Sequence, residues 1–125
     1  MRRSSEHAEQ VAYFNWVAIK ANSDIRYKNI YAIPNAGKRS IGAAMYYKAE
    51  GLKAGVLDIN VDWPCGNYHG LRIEMKARGK TISKAQAEWI ARYTRAGYAT
   101  ALAFSFEEAK IYTERYFDLG NANQA

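Results

Sequence analysis

Polar and apolar residues alternate along two neighbouring segments of the chain, residues 54–62 and residues 70–79. In the second segment the apolar residues are Leu71, Ile73, Met75 and Ala77, and the polar residues that alternate with them are Arg72, Glu74, Lys76 and Arg78. Side chains alternate between the two faces of a β-strand, so the pattern predicts two strands, each with one polar face. The sequence between them, WPCGNYHG, is rich in turn formers and favours antiparallel pairing. Such pairing brings Asp58 beside Glu74 and Lys76 on one polar face.

The first part of the chain predicts a helix, a short strand and a second helix. Residues 5–21 have helical periodicity, and one apolar face is predicted to carry Ala8, Val11, Phe14 and Ala18. Residues 29–33 are predicted to form a short strand. Ser40 is then the expected cap of a helix that ends near Gly51.

The last part of the chain predicts a helix, a strand and a final helix. The helices, over residues 83–97 and 105–117, each open with a capping box, in which serine precedes glutamine or glutamate by three positions. Residues 98–104 between them are apolar enough for a buried strand. A helix between the third and fourth strands allows a right-handed crossover. The expected fold class is therefore α/β, with a mixed β-sheet flanked by helices on both faces.

Composition narrows the classes of protein that fit. A chain of 125 residues with 49% hydrophobic residues is long and apolar enough for one domain with a real core. No apolar run approaches the roughly 20 residues that a membrane span needs, and no signal peptide is expected. With one cysteine, Cys65, and two histidines, neither an intrachain disulfide nor an ordinary structural zinc site is expected. These features favour a cytoplasmic, reducing location.

The chain is basic, with a net charge of +6 and a pI of about 9.5. A positive excess of this size favours polyanionic partners, and nucleic acid first among them. A solvated basic surface with no such partner explains the charge equally well.

Asp58, Glu74 and Lys76 carry the first candidate chemistry. Two neighbouring carboxylates repel one another, and a divalent cation relieves that repulsion. Mg²⁺ prefers oxygen ligands and keeps several waters, one of which can become a nucleophile. The Met75 carbonyl can add a ligand, and Lys76 can hold the attacking water and offset transition-state charge. The alternative is that Glu74 and Lys76 form an ordinary ion pair on an exposed sheet.

Other residues leave two interpretations open. Lys38 and Arg39 follow Asn-Ala-Gly and belong either to a phosphate-contacting loop or to a solvated turn. Lys53 lies between glycines that permit either close approach of a DNA backbone or a tight helix-to-strand turn. His7 and His69 are more typical of surface or hydrogen-bonded histidines than of a general base.

Five segments, in this order, resemble the VRR-NUC domain family of the PD-(D/E)xK nuclease superfamily, in the stand-alone type of bacteria and phages: EHAEQ, AIPNAG, AEGLKAGVLDI, GLRIEMKARG and SKAQAEW. The resemblance extends from Ser5 to Tyr116 and implies a single nuclease domain over residues 1–125. It also implies a restriction-endonuclease-like core.

The resemblance assigns roles to the residues that match the family motifs. It implies that Asp58 and Glu74 are metal ligands and that Lys76 is the catalytic lysine. Gln86 would be the glutamine that opens the following helix and supports the site. One departure is Leu57, which stands where the family usually has proline.

The resemblance also implies an acidic residue on the first helix that reaches the metal through water. Glu6 and Glu9 compete for this role. Glu6 is favoured because its spacing to Gln10 matches the family better.

The expected function is that of a Mg²⁺-dependent DNA endonuclease, in which Mn²⁺ can substitute, acting on branched DNA and especially on Holliday junctions. The residues expected to contact DNA are Lys38, Arg39, Lys53, Arg78 and Lys80. A homodimer is expected, because a small monomer cannot easily bury seven aromatic residues: Tyr13, Trp16, Tyr27, Tyr31, Tyr46, Tyr47 and Trp63. The alternatives are an inactive nucleic-acid-binding module with a nuclease fold and a basic structural protein with no site.

Overall fold

The computed structural model describes residues 5–34 and 41–122. Its helices are α1 (Glu6–Lys20), α2 (Ile41–Ala49), α3 (Lys84–Arg95) and α4 (Phe106–Ala122). Its strands are β1 (Ile30–Ala32), β2 (Ile59–Val61), β3 (Leu71–Met75) and β4 (Ala99–Ala103). A 3-10 helix that the sequence pattern did not predict, Ile25–Asn29, connects α1 to β1. The predicted cap at Ser40 lies outside the described residues.

The four strands form one mixed sheet in the order β1-β2-β3-β4. The first two pairings are antiparallel, and β3 and β4 are parallel. The predicted antiparallel pair, the crossover through α3 and the α/β class are therefore confirmed. However, β2 covers only three residues instead of 54–62. Ala54 and Gly55 contact α3 instead of extending the strand.

One face of the sheet packs against α1 and α4. The predicted buried face of α1 is wrong: Tyr13 and Val17 are the buried residues, whereas Val11 is 45% exposed. Burial of the larger aromatic is possible because the Tyr13 hydroxyl lies 2.8 Å from Thr113 Oγ1 on α4. A buried tyrosine needs such a partner for its hydroxyl, and this hydrogen bond fixes the rotation of α1.

The last helix is longer than predicted, because α4 continues past Phe117. Its final turns pack against the β2–β3 connection. A Cβ placed on Gly120 would lie 3.2 Å from Cys65 Sγ, and the Tyr116 hydroxyl donates to the Trp63 carbonyl at 2.6 Å. Tertiary contacts thus extend the helix beyond the point where the sequence pattern ends.

The aromatic residues expected at a dimer interface divide into two groups. Tyr13 and Tyr27 belong to the core, whereas Tyr31 and Tyr46 are 44% and 63% exposed. Part of the aromatic surplus is therefore explained by folding alone. Within the described residues, no helix is both long and apolar enough to cross a membrane.

Candidate active site

Strand register places Asp58 directly beside Glu74. Ile59 of β2 is paired with Ile73 of β3, and Asp58 and Glu74 are the next pair in this antiparallel register. Main-chain contacts hold Asp58 on both sides: its carbonyl accepts from Ile33 N–H at 2.7 Å, and its Oδ2 accepts from Met75 N–H at 3.0 Å. Both carboxyl residues are buried, with exposures of 6% and 2%.

Lys76 completes the group at the end of β3. Its Nζ lies 4.0 Å from Glu74 Oε2, and its main-chain N–H donates to the Ala103 carbonyl of β4 at 2.9 Å. Glu74 and Lys76 therefore lie on one face, as the alternation predicts. The pair is not an ordinary exposed ion pair, because the Glu74 side chain is only 3% exposed.

Gln86 connects the start of α3 to Glu74. Its Oε1 accepts from Ser83 N–H at 2.8 Å, while Ser83 Oγ accepts from Gln86 N–H at 3.1 Å, so the predicted capping box is present. Because Oε1 is held as the acceptor, the amide nitrogen faces Glu74 and donates to its Oε2 at 2.7 Å. One side chain thus caps the helix through its amide oxygen and supports the Glu74 carboxylate through its amide nitrogen.

The loop before Asp58 is fixed against the first turns of α3. Gly55 has a φ of +85°, and a Cβ there would lie 2.7 Å from the main-chain carbon of Ala85. Trp89 Nε1 donates to the Ala54 carbonyl at 3.1 Å. The close approach at Gly55 is therefore to α3. The contact of Trp89 with Ala54 could not be foreseen, because nothing in the local sequence pattern pairs the helix with the loop.

Burial and charge make Glu74 unusual. Desolvation by burial and then the nearby Asp58 charge raise the pKa of Glu74 to about 8, although the Lys76 ammonium acts in the opposite direction. Glu74 Oε1 is buried and has no hydrogen-bond partner among the described residues. A buried carboxylate oxygen without a partner is costly and calls for an explanation, such as a missing cation.

The two acidic residues of α1 have different surroundings. Glu9 Oε1 accepts from Phe106 N–H at 2.8 Å, so Glu9 caps the start of α4. Glu6 lines a groove together with Asp58, and its charge contributes to the raised pKa of Glu74. The structure therefore brings Glu6, and not Glu9, towards the carboxylate pair.

Comparisons with known proteins agree with this geometry. A scan against family models gave no match to the chain, and neither did a search of curated proteins. Among solved structures, the chain is similar to a VRR_NUC domain protein, with a TM-score of 0.79 and 27% sequence identity. The match covers 95% of this chain and 93% of that one. This structural match supports the VRR-NUC family. The chain is therefore a nuclease-like domain.

The donor set of this site fits a hard divalent cation. Within the described residues, no group of three or more His, Cys, Asp or Glu side chains forms a metal site by itself. Mg²⁺ is commonly held by one or two carboxylates, with waters and substrate phosphates completing its shell. Asp58 and the unpartnered Glu74 oxygen meet that requirement. Main-chain atoms of Met75 lie beside Asp58, through the N–H contact already described.

Three of the basic residues predicted to bind DNA lie in loops next to the strands that carry the carboxylate pair. Lys53 is exposed in the α2–β2 loop, and Arg78 and Lys80 are exposed in the β3–α3 loop. These loops flank the strands of Asp58 and Glu74. Lys38 and Arg39 lie outside the described residues.

A buried arginine on the same sheet face was not foreseen. Arg72 Nη1 donates to Asp62 Oδ1 at 2.9 Å, and its guanidinium lies 4.4 Å from the centre of the Tyr98 ring. The alternation placed Arg72 on the polar face, but its burial depends on the packing of Tyr98 and could not be predicted locally. His69 packs edge-on against Tyr98, as expected of a structural histidine.

Proposed function

We propose that this chain is a Mg²⁺-dependent endonuclease that hydrolyses phosphodiester bonds of branched DNA, such as Holliday junctions. The supporting observation is the buried pair of Asp58 and Glu74, with one unpartnered carboxylate oxygen and the Lys76 ammonium at 4.0 Å. A pair of this kind destabilises the metal-free fold, so its presence needs a function.

The carboxylates are the proposed metal ligands. A bound Mg²⁺, or Mn²⁺ in its place, would supply positive charge to the phosphate and lower the pKa of an attacking water. Asp58 and Glu74 would hold it through carboxylate oxygens, with the Met75 carbonyl as a further ligand. Glu6, at the edge of the pair, would act through water.

The remaining residues position these groups. The Lys76 ammonium would orient the attacking water and donate to the oxygen on which negative charge develops. Gln86 acts through Glu74 and is a positioning residue, because its amide fixes the rotation of that carboxylate. Glu74 lies on β3, whereas Gln86 lies on α3, so their hydrogen bond forms on folding and the site is arranged before DNA binds.

Basic residues around the site would contact the DNA backbone. The net charge of +6 and the exposed Lys53, Arg78 and Lys80 support phosphate contacts. We propose a homodimer, whose paired sites would cut opposing strands of a two-fold symmetric junction. Exposed Met45 and Tyr46 on α2 provide apolar surface for such an interface.

The second candidate function is an inactive nucleic-acid-binding module. It would retain the basic surface without needing the carboxylates. The close placement of Asp58, Glu74 and Lys76 favours the nuclease, because a binding module gains nothing from a buried acidic pair.

One experiment separates these functions. Purified protein is incubated with a four-way junction, a flap and a linear duplex, each with Mg²⁺, with Mn²⁺ and with EDTA. The nuclease is supported by metal-dependent nicking that Asp58→Asn removes. Binding of all three DNAs without cleavage in either metal would establish the inactive module. Equal cleavage of the linear duplex would refute the preference for branched DNA, and a mass near 14.1 kDa by light scattering would refute the dimer.

A further inference from the structure

A groove next to the carboxylate pair extends beyond the residues that take part in the proposed chemistry. It has a volume of about 380 Å³ and lies between α1 and the residue that follows β1. Glu6 and Asp58 form part of its lining, so the groove is continuous with the site. Its volume is in the range of pockets that enclose small ligands. A DNA strand bound at the site would therefore pass its opening.

The remaining walls of the groove combine apolar groups, amides and the imidazole of His7. Val11, Phe14 and Ile33 are apolar, and Gln10 and Asn15 carry amides. The α1 residues among them form two adjacent pairs, 10–11 and 14–15, that are four positions apart and so share one side of the helix. Val11 is 45% exposed although it is aliphatic, so folding does not account for its position.

Charge decides which part of a nucleotide this groove suits. Within the described residues, no lysine or arginine lines it, whereas Glu6 and Asp58 do. A phosphate would be repelled by these carboxylates. A nucleobase is neutral, its faces pack against apolar side chains, and its edges pair with amides.

We propose that the groove binds one unpaired nucleobase adjacent to the scissile phosphate. This inference rests on the proposed nuclease function and specifies its substrate. In a duplex the faces of each base are stacked and its pairing edge is occupied, so a paired base does not enter. The enzyme would accordingly need an unpaired nucleotide at the cleavage point, which a flap provides and which a four-way junction provides where a base pair at its branch point opens.

The test compares one substrate with and without the base. After the cut has been mapped on a flap, abasic sites are placed in turn at the nucleotides on either side of the scissile phosphate. At one of these positions, loss of the base should raise the KM of the wild-type protein about tenfold, the effect typical of a lost base contact. Val11→Asp and Gln10→Ala should raise the KM for the intact flap and make it insensitive to the abasic site.

A matched control separates the groove from general effects of charge. Ile19 is 68% exposed on the same helix and does not line the groove, so Ile19→Asp changes charge in the same way as Val11→Asp. Ile19→Asp should keep the abasic effect. If the abasic flaps all have the wild-type KM, or if Val11→Asp behaves like Ile19→Asp, the groove does not bind a base.

A second readout does not depend on cleavage. The adenine analogue 2-aminopurine, placed at the same nucleotide, should change fluorescence on binding to the wild-type protein in EDTA, but not to Val11→Asp. This change without cleavage in any metal would support the base site and refute the nuclease. Cleavage with neither an abasic effect nor a fluorescence change would refute the base site and leave the nuclease standing.

Discussion

The two faces of the sheet differ in the polarity of their buried side chains. Under α1 and α4 the side chains are apolar, and the polar group of Tyr13 is paired with Thr113. Under α3 lie buried polar atoms with no hydrogen-bond partner among the described residues, namely Asn60 Oδ1, Arg72 Nε and Glu74 Oε1. Burial of apolar side chains on the first face stabilises the fold. Burial of polar groups on the second face lowers the free energy of unfolding and holds functional groups away from water.

Neighbouring residues on opposite faces should separate stability from chemistry. Glu74→Gln and Asp58→Asn should reduce cleavage by at least about a hundredfold, because each removes anionic oxygen from the proposed metal site. Cleavage of a branched substrate in Mg²⁺ measures this effect. The exposed carboxylates Glu107 and Asp118 provide matched controls as Glu107→Gln and Asp118→Asn. Near-normal turnover in Asp58→Asn would contradict the assignment of the site.

The opposite result is expected one residue away. Ile73 is fully buried on the apolar face, and Ile73→Ala should lower the free energy of unfolding by about 2–5 kcal/mol. Urea denaturation measures the loss. Activity per folded molecule should stay close to wild type at low temperature. A loss of turnover as large as that of Glu74→Gln would mean that the two faces are not separable.

Gln86 tests whether one side chain serves both helix and site. Gln86→Ala should lower cleavage about tenfold and stability by about 1 kcal/mol, since it removes the contact with Glu74 and half of the capping box. Ser83→Ala breaks the same cap without touching Glu74. It should match the stability loss while keeping kcat. If both variants lose kcat equally, the role of Gln86 is only structural.

A further effect is expected on the pH dependence of stability. An unfolded glutamate ionises near 4.5, whereas the pKa of Glu74 in the metal-free fold is about 8. The folded state therefore binds more protons between these values, and its stability in EDTA should fall as pH rises from 5 to 8. Glu74→Gln should show a weaker decline in denaturant titrations at the two pH values. Parallel declines would assign the pH dependence to other groups.

The sequence was sufficient where interactions are local. Strand alternation and a connection rich in turn formers predicted Asp58 beside Glu74, because a slip of one residue would turn the apolar side chains to the polar face. The capping box at Ser83 likewise depends on residues three apart. The resemblance to VRR-NUC then implied that Gln86 supports the site, and its amide donates a hydrogen bond to Glu74 Oε2.

Long-range packing accounts for the features that could not be predicted. The rotation of α1 depends on a hydrogen bond between Tyr13 and Thr113, which are 100 positions apart. The extension of α4 depends on contact between Gly120 and Cys65. The groove beside Asp58 follows from the exposure of Val11, which periodicity alone assigned to the core.

The contact between Gly55 and α3 restricts which residues can replace glycine at position 55. Any side chain at position 55 would collide with the Ala85 main chain, and the φ of +85° already disfavours other residues. Either the loop that carries Asp58 or the helix that carries Gln86 would have to shift. In a library of single substitutions selected for cleavage, position 55 should therefore be nearly as intolerant as position 58, although glycine contributes no chemical group. Depletion of variants at a position thus reports the geometry behind a site as well as its reactive atoms.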